Sequence, residues 1–442
     1  MPIPHLSRRQ FLVGGCAAGV AGATAVALAQ QPWRHVLAKA PVAPPVKAGK
    51  GILVVVTLYG GNDGLNTVVP YTDAQYLSGR PSLGYQANQV IPLIDGLGLH
   101  PNLKGLKTLW DAKQLAIVRG VGYPNPIRSH FRSMDIWQSG SPATAVATGW
   151  LGRWLDATGT DPMRALSVGS TLPLALTGNK QAGTAINGSA ITTPGGARLI
   201  PAIAALDAPG PDRTGLAARV ASSGADLLSV QHSLADLLST TPTPAPAANS
   251  HQKPGTSPST TAGAGVAGAA GTKGVFATPK AAPATGLAGE LDVVARLIKA
   301  GAPTKVYHVS MGGFDNHAQE KATHAQLMTQ LDAAITGFFG ALAGDPNERG
   351  VVLMTYSEFG RRVIENASGG TDHGTAGPVF IAGPAVKGGQ LYGDEPSLTN
   401  LDQGDLRFTT DFRSVYATVL GKVVGVDPKV ALDGSFPLLS FV

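Results

Sequence analysis

Apolar residues come in short, nearly continuous runs along this chain, separated by segments rich in glycine, serine and charge. The run Val351–Thr355 is apolar at nearly every position and β-branched at several, the pattern of a strand covered by helices on both faces. Ile52–Leu58, Leu115–Arg119, Lys305–Met311 and Pro378–Ala382 read as further strands. Between and around them the apolar spacing is helical. It predicts helices over Leu99–Lys113, Ser129–Gln138, Gly149–Thr158, Thr214–Thr240, Leu287–Ala300, Ala318–Gly340 and Thr410–Gly425. In the longest of these, Leu327, Leu331, Ile335, Phe338 and Phe339 form an apolar stripe suited to core packing. Strands alternating with helices predict an α/β fold, a doubly wound and mostly parallel sheet flanked by helices.

Two regions break this pattern. Residues 30–50 are Pro-rich and read as a tether, and residues 241–286 are almost wholly Pro, Ala, Gly, Ser and Thr. Such a composition buries too little apolar surface to offset chain entropy, so 241–286 is expected to be a disordered insertion within a single α/β domain spanning 51–442.

Ahead of the tether, Ser7-Arg8-Arg9-Gln10-Phe11-Leu12 followed by the Gly/Ala-rich run Val13–Ala29 matches a twin-arginine signal, expected to occupy 1–29. That route carries folded proteins to the periplasm or beyond. Cleavage after Ala29, or later near Ala40, removes Cys16, the only cysteine, so the exported protein is expected to have neither disulfide nor thiolate ligand. No other apolar run reaches the ~18–20 residues of a membrane span. Charged residues make up 14% of the 442 and the net charge is +6, without a block of five or six basic residues, which argues against nucleic acid as a partner.

The residues that can do chemistry gather at the ends of the apolar runs. Asp63 follows the first strand in Gly60-Gly61-Asn62-Asp63-Gly64; Asp315 and His317 follow Lys305–Met311; Glu358 follows the run from Val351; Asp372 and His373 precede Pro378–Ala382. Open α/β sheets bind ligands beyond the carboxyl ends of their strands, where several rigid loops can each present one or two carboxylates or imidazoles to a cation. These six are the candidate ligands of one divalent metal, with Zn, Mn and Fe all compatible with carboxylate and imidazole donors. Ser129 and His130 begin a helix, where backbone N–H groups favour an anion, and are the candidate catalytic pair.

The segments LYGGNDGLNTVVPY, RSHFRSMDIWQSG, GGFDNH, TYSEFGRR and GGTDHGTAGPVFIAG, with the twin-arginine leader, resemble the exported bacterial family called domain of unknown function 1501. That family is in turn similar to the alkaline phosphatase and sulfatase superfamily. The resemblance implies an alkaline phosphatase-like fold in which Asp63 matches the first-strand Asp and Ser129 the helix-start nucleophile. Asp315 and His317 match a later Asp and His, and His373 matches the final His. Glu358 stands where the superfamily has the Asp of an Asp-His-Gly motif, and Phe359 replaces its His. Asp372 compensates for Phe359, or Asp372-His373 is itself the Asp-His pair; the sequence is compatible with both.

The expected function is therefore an exported metal-dependent hydrolase of small-molecule or glycan phosphate or sulfate esters, with Ser129 as nucleophile. The alternatives are a non-catalytic relative that binds an anionic or glycan ligand, and a partner protein in an exported assembly.

Overall fold

The computed structural model describes residues 51–187 and 286–442, with some helical residues between 223 and 237. The expected signal with Cys16, the tether and the insertion as far as residue 285 lie outside the described residues. Among the described residues, the central sheet has nine strands. They are β1 (Ile52–Leu58), β2 (Leu115–Gly122), β3 (Ala165–Val168), β4 (Thr184–Ile186), β5 (Val306–Met311), β6 (Val351–Ser357), β7 (Gly377–Ala382), β8 (Gln390–Tyr392) and β9 (Thr410–Asp411). The order across the sheet is β8-β2-β7-β6-β1-β5-β3-β4, and β9 also pairs with β2.

Among the described residues, the helices that accompany it include α1 (Lys104–Asp111), α2 (His130–Ser139), α3 (Trp150–Thr158), α4 (Gly286–Lys299), α5 (Glu320–Leu342) and α6 (Phe412–Thr418). The period-two alternation of a strand explains how β1 serves two cores at once. Val54, Val56 and Leu58 pack into a core with residues of α1, α4 and α5. Leu53 and Val55 pack into the core on the other face with residues of α2, α3 and α6. Each such side chain, fully buried, contributes about 1.5–3 kcal/mol of transfer free energy, so both faces hold the sheet. The doubly wound architecture is the one the apolar runs predict.

Within this sheet the described strand pairs are parallel except those made by β7, which runs against both β2 and β6. This reversal positions the site. Because β7 points the other way, the loop that enters it meets the edge from which β1, β5 and β6 depart.

Several boundaries differ from the sequence expectation. The helix expected over Leu99–Lys113 begins only at Lys104, because Gly98–Leu99 is drawn into a small antiparallel sheet with Val68–Val69 and Ile91–Pro92. The helix expected from Thr410 is divided: Thr410–Asp411 is strand β9, α6 follows, and Val419–Val424 closes with π-type spacing. The helix expected from Ala318 starts at Glu320, after Gln319 adopts a left-handed conformation. Within the helix expected over Thr214–Thr240, the described residues are helical, and Val230 and Leu234 are buried in the first core.

Candidate metal centre

Three loops and one helix start converge at this edge. After β1 the chain turns through Gly60 and Gly61, both at positive φ. A Cβ on Gly60 would fall 2.5 Å from the Asp315 nitrogen, and one on Gly61 would fall 2.4 Å from the Phe359 ring. Glycine at both positions lets the β1 loop lie directly against the loops after β5 and β6. The segment after β6 pairs with the loop entering β7 through a backbone bridge between Arg361 and His373, with Gly360 N–H donating to Thr375 O at 2.7 Å.

Side chains then meet across the loops. One donor atom each from His130, Asp315 and His373 lies within 4.8 Å of the others. His130 Nε2 is 3.4 Å and His373 Nε2 is 3.2 Å from Asp315 Oδ1. His317 Nε2 joins from the exposed side, 3.0 Å from Asp315 Oδ1 and 2.9 Å from His373 Nε2. Asp372 stands behind His317, its Oδ1 3.5 Å from His317 Nδ1.

Glu358 takes a different position from a ligand. It is buried, and its Oε1 accepts hydrogen bonds from Gly60 N–H and His130 Nδ1, both at 2.8 Å, while Oε2 accepts from Ser357 Oγ at 3.0 Å. A carboxylate bonded to one imidazole nitrogen fixes the ring so that the other nitrogen faces the cluster. Phe359 flanks the same rings, its centroid 4.9 Å from that of His130 and 4.7 Å from that of His373. It wedges the imidazoles rather than donating to a cation.

Asp63 lies apart from the cluster. It is buried and paired with Arg80, Nη1 to Oδ2 at 2.5 Å. Burial raises its pKa, and the guanidinium outweighs that and holds the carboxylate ionised. Burial and the Asp63 charge both push Glu320 upward, so Glu320 favours the neutral acid, and its Oε2 accepts from Thr371 Oγ1 at 2.6 Å. The pairing of Asp63 with a residue 17 positions away has no local sequence signal.

The electrostatics of the cluster favour a cation. For Asp315, burial works upward, but hydrogen bonds from His130, His373 and Arg361 hold its carboxyl well below the usual range. Burial works downward on His130, and its bonds to Asp315 and Glu358 outweigh it, pushing the imidazole up to about 9. The same carboxylates that favour an imidazolium favour a bound metal ion. The donor set of imidazole and carboxylate fits such an ion. So does the aim of His130 Nε2, a buried nitrogen 3.4 Å from Asp315 Oδ1.

Arg361 is the residue that sequence reasoning missed. Buried beneath the cluster, its Nη2 lies 2.9 Å from Asp315 Oδ1 and 3.0 Å from Phe314 O. Its other bonds run to Gly60 O (2.5 Å), Gly61 O (2.7 Å) and Thr371 O (2.9 Å). It lies in the TYSEFGRR segment, where nothing local marks it as the partner of a carboxylate 46 positions earlier.

Ser129 is the N-cap of α2, is exposed, and makes no side-chain capping bond. Both of its neighbours are tied into the cluster: Arg128 O is 2.8 Å from His373 Nδ1, and His130 is one of the converging donors. His308 and His324 lie elsewhere, in buried contacts with Thr57 (3.0 Å) and Asn62 (3.1 Å). Among the described residues no helix is long and apolar enough to cross a membrane.

Comparison with solved structures returns chains of low identity. One is a protein in the alkaline phosphatase superfamily from Vibrio parahaemolyticus (12% identity, TM-score 0.38, covering 94% of this chain and 78% of that one). Another is the PsFucS1 sulfatase from Pseudoalteromonas sp. (10%, TM-score 0.37, covering 92% and 75%). A third is the lipoteichoic acid synthase LtaP from Listeria monocytogenes (8%, TM-score 0.33, covering 90% and 79%). No curated protein matches the chain. The model of the family described as protein of unknown function (DUF1501) matches residues 110–432, which carry Ser129, His130, Asp315, His317 and His373, and the chain belongs to that family.

Proposed function

We propose that this protein is an exported, metal-dependent hydrolase of phosphate or sulfate esters. The observation that carries the reading is the exposed Ser129 hydroxyl, held between two residues that both engage a cluster of imidazole and carboxylate donors. His130, Asp315 and His373 would hold one divalent cation, with His317 next to them and Asp372 behind it. Such an ion, when bound, supplies Lewis acidity to the ester oxygens and lowers the proton affinity of a neighbouring hydroxyl. Glu358 orients His130 through Nδ1, and Phe359 limits the freedom of both flanking imidazoles. Ser129 Oγ would bond to phosphorus or sulfur at the start of α2, where backbone N–H groups favour the anionic group being transferred. The bond to the ester alcohol breaks, the alcohol leaves with the proton given up by the serine, and water then cleaves the seryl ester to release phosphate or sulfate.

Elemental analysis of the exported protein, together with Ser129→Ala assayed on a panel of phosphate and sulfate esters, tests this. The expected result is about one bound divalent ion and a loss of about 1,000-fold or more in kcat/KM for the variant. A metal-free protein whose turnover is unchanged by Ser129→Ala would sink it. Arg361 favours a second reading, because its guanidinium already partners the Asp315 carboxylate. In that reading the cleft binds an anionic or glycan ligand without turnover, and metal-dependent hydrolysis excludes it.

A further inference from the structure

A cavity of about 330 Å3 opens beside the cluster, walled by Tyr123, Phe359, Ala376, Leu406 and Phe408. Phe359 belongs to both places: the ring that flanks His130 and His373 is also a wall of the cavity. Whatever occupies the cavity therefore rests against the ring that braces the candidate metal ligands.

The lining decides what kind of occupant fits. Tyr123, Phe359, Ala376 and Leu406 are buried, so the floor is apolar. The hydroxyls within it are already used. Tyr123 Oη is bonded to Ser133 Oγ at 2.6 Å and accepts from Ile127 N–H at 3.2 Å, and Thr375 Oγ1 donates to Leu406 O. A polyhydroxylated ring pressed onto this floor would leave hydroxyls unmatched, each costing about 1–3 kcal/mol. Polar lining remains at Asn125 and Arg407, which are exposed, and Asp402, which is partly so. An apolar cavity of about 150 Å3 takes one benzene, so this one has room for one or two fused rings.

We infer that this cavity is a subsite for an aromatic ring in the alcohol portion of the ester, so that the preferred substrates are aryl or arylalkyl phosphates or sulfates. The inference rests on the hydrolase reading for the word substrate, but the ring-binding part of it is measurable without turnover. Phe359 is then a positioning residue that faces the cation site and the leaving group together, and Leu406 and Phe408 set specificity.

The test uses the full exported protein and 2-naphthol, the free alcohol, as probe. Titration calorimetry should show saturable binding to the wild type. Leu406→Trp, which fills the cavity, should weaken it by about tenfold or more, with metal content unchanged. Phe408→Ala, at a half-buried wall position, is the second variant should the first fail to fold, and should weaken binding several-fold. In kinetics, Leu406→Trp should raise KM for 2-naphthyl phosphate or sulfate several-fold more than for the methyl ester. No naphthol binding, binding unaltered in both variants, or tighter binding of a free monosaccharide than of naphthol would overturn the subsite. Naphthol binding that the variants abolish, with no ester hydrolysed, supports the ring site and counts against the hydrolase reading alone.

Discussion

Glu290 on α4 is a carboxyl whose environment opposes its charge. Burial pushes it up to about 7, against the partial compensation of a hydrogen bond from Ser310 N–H at 2.8 Å. The folded state therefore holds this proton more tightly than the unfolded chain, and stability falls as pH rises from the ordinary carboxyl range through about 7. Glu290→Gln keeps an acceptor for Ser310 and removes the penalty. Urea unfolding at pH 8 should show the variant more stable by about 1–2 kcal/mol, after allowance for solvent access, and at pH 4 the difference should vanish. Equal stability at both pH values would contradict the assignment. At this scale the candidate site was only partly legible. Asp315, His317 and His373 announced themselves as strand-edge residues, and Ser129 as a helix start. The division of labour between His130 and Glu358 was not legible, because spacing does not say which imidazole nitrogen faces which partner. Asp63 was misleading for a similar reason: its partner Arg80 neutralises it from a separate short helical segment.

Helix α1 shows how one element holds another. Its N-cap, Leu103, offers no side-chain acceptor, and the gap is closed from α5, where the Asp332 carboxylate accepts from Gly105 N–H (2.9 Å) and Leu106 N–H (2.7 Å). Gly105 admits this contact, since a Cβ there would fall 2.5 Å from Thr336 Cγ2. Asp332→Ala should therefore cost about 3 kcal/mol by stranding two buried donors, read as a lower urea midpoint with an unchanged slope. Asp332→Asn, which keeps an acceptor, should cost less. Most central strands and helices were readable from apolar periodicity, but β3, β4 and β8 were not, since runs of three or four residues lack a countable period. The reversal of β7 was equally silent, because burial on both faces looks the same in either direction. Helix α1 lost its expected first turn to Pro101, which favours an extended residue before it, and to the pairing of Leu99 with Val68.

Across the whole molecule the strongest regularity is that chemistry sits where the sheet ends while stability sits in its two cores. That division was visible in the sequence as apolar runs terminating in glycine and charge. The clustering of three loops was not, because it depends on the strand order β7-β6-β1-β5, which no local pattern encodes. Arg361 is the clasp across those loops, and it has a consequence for their motion. One guanidinium gathers carbonyls of Gly60, Gly61, Phe314 and Thr371, so no loop can lift without releasing the others. The amides of Gly60, Phe314 and Thr371 are each hydrogen-bonded, to Glu358 Oε1, Tyr59 O and Asn316 O. They should exchange with deuterium through a single shared opening of one free energy. Arg361→Lys replaces a planar fork by a point charge that cannot span the same acceptors, and should split that opening into separate events.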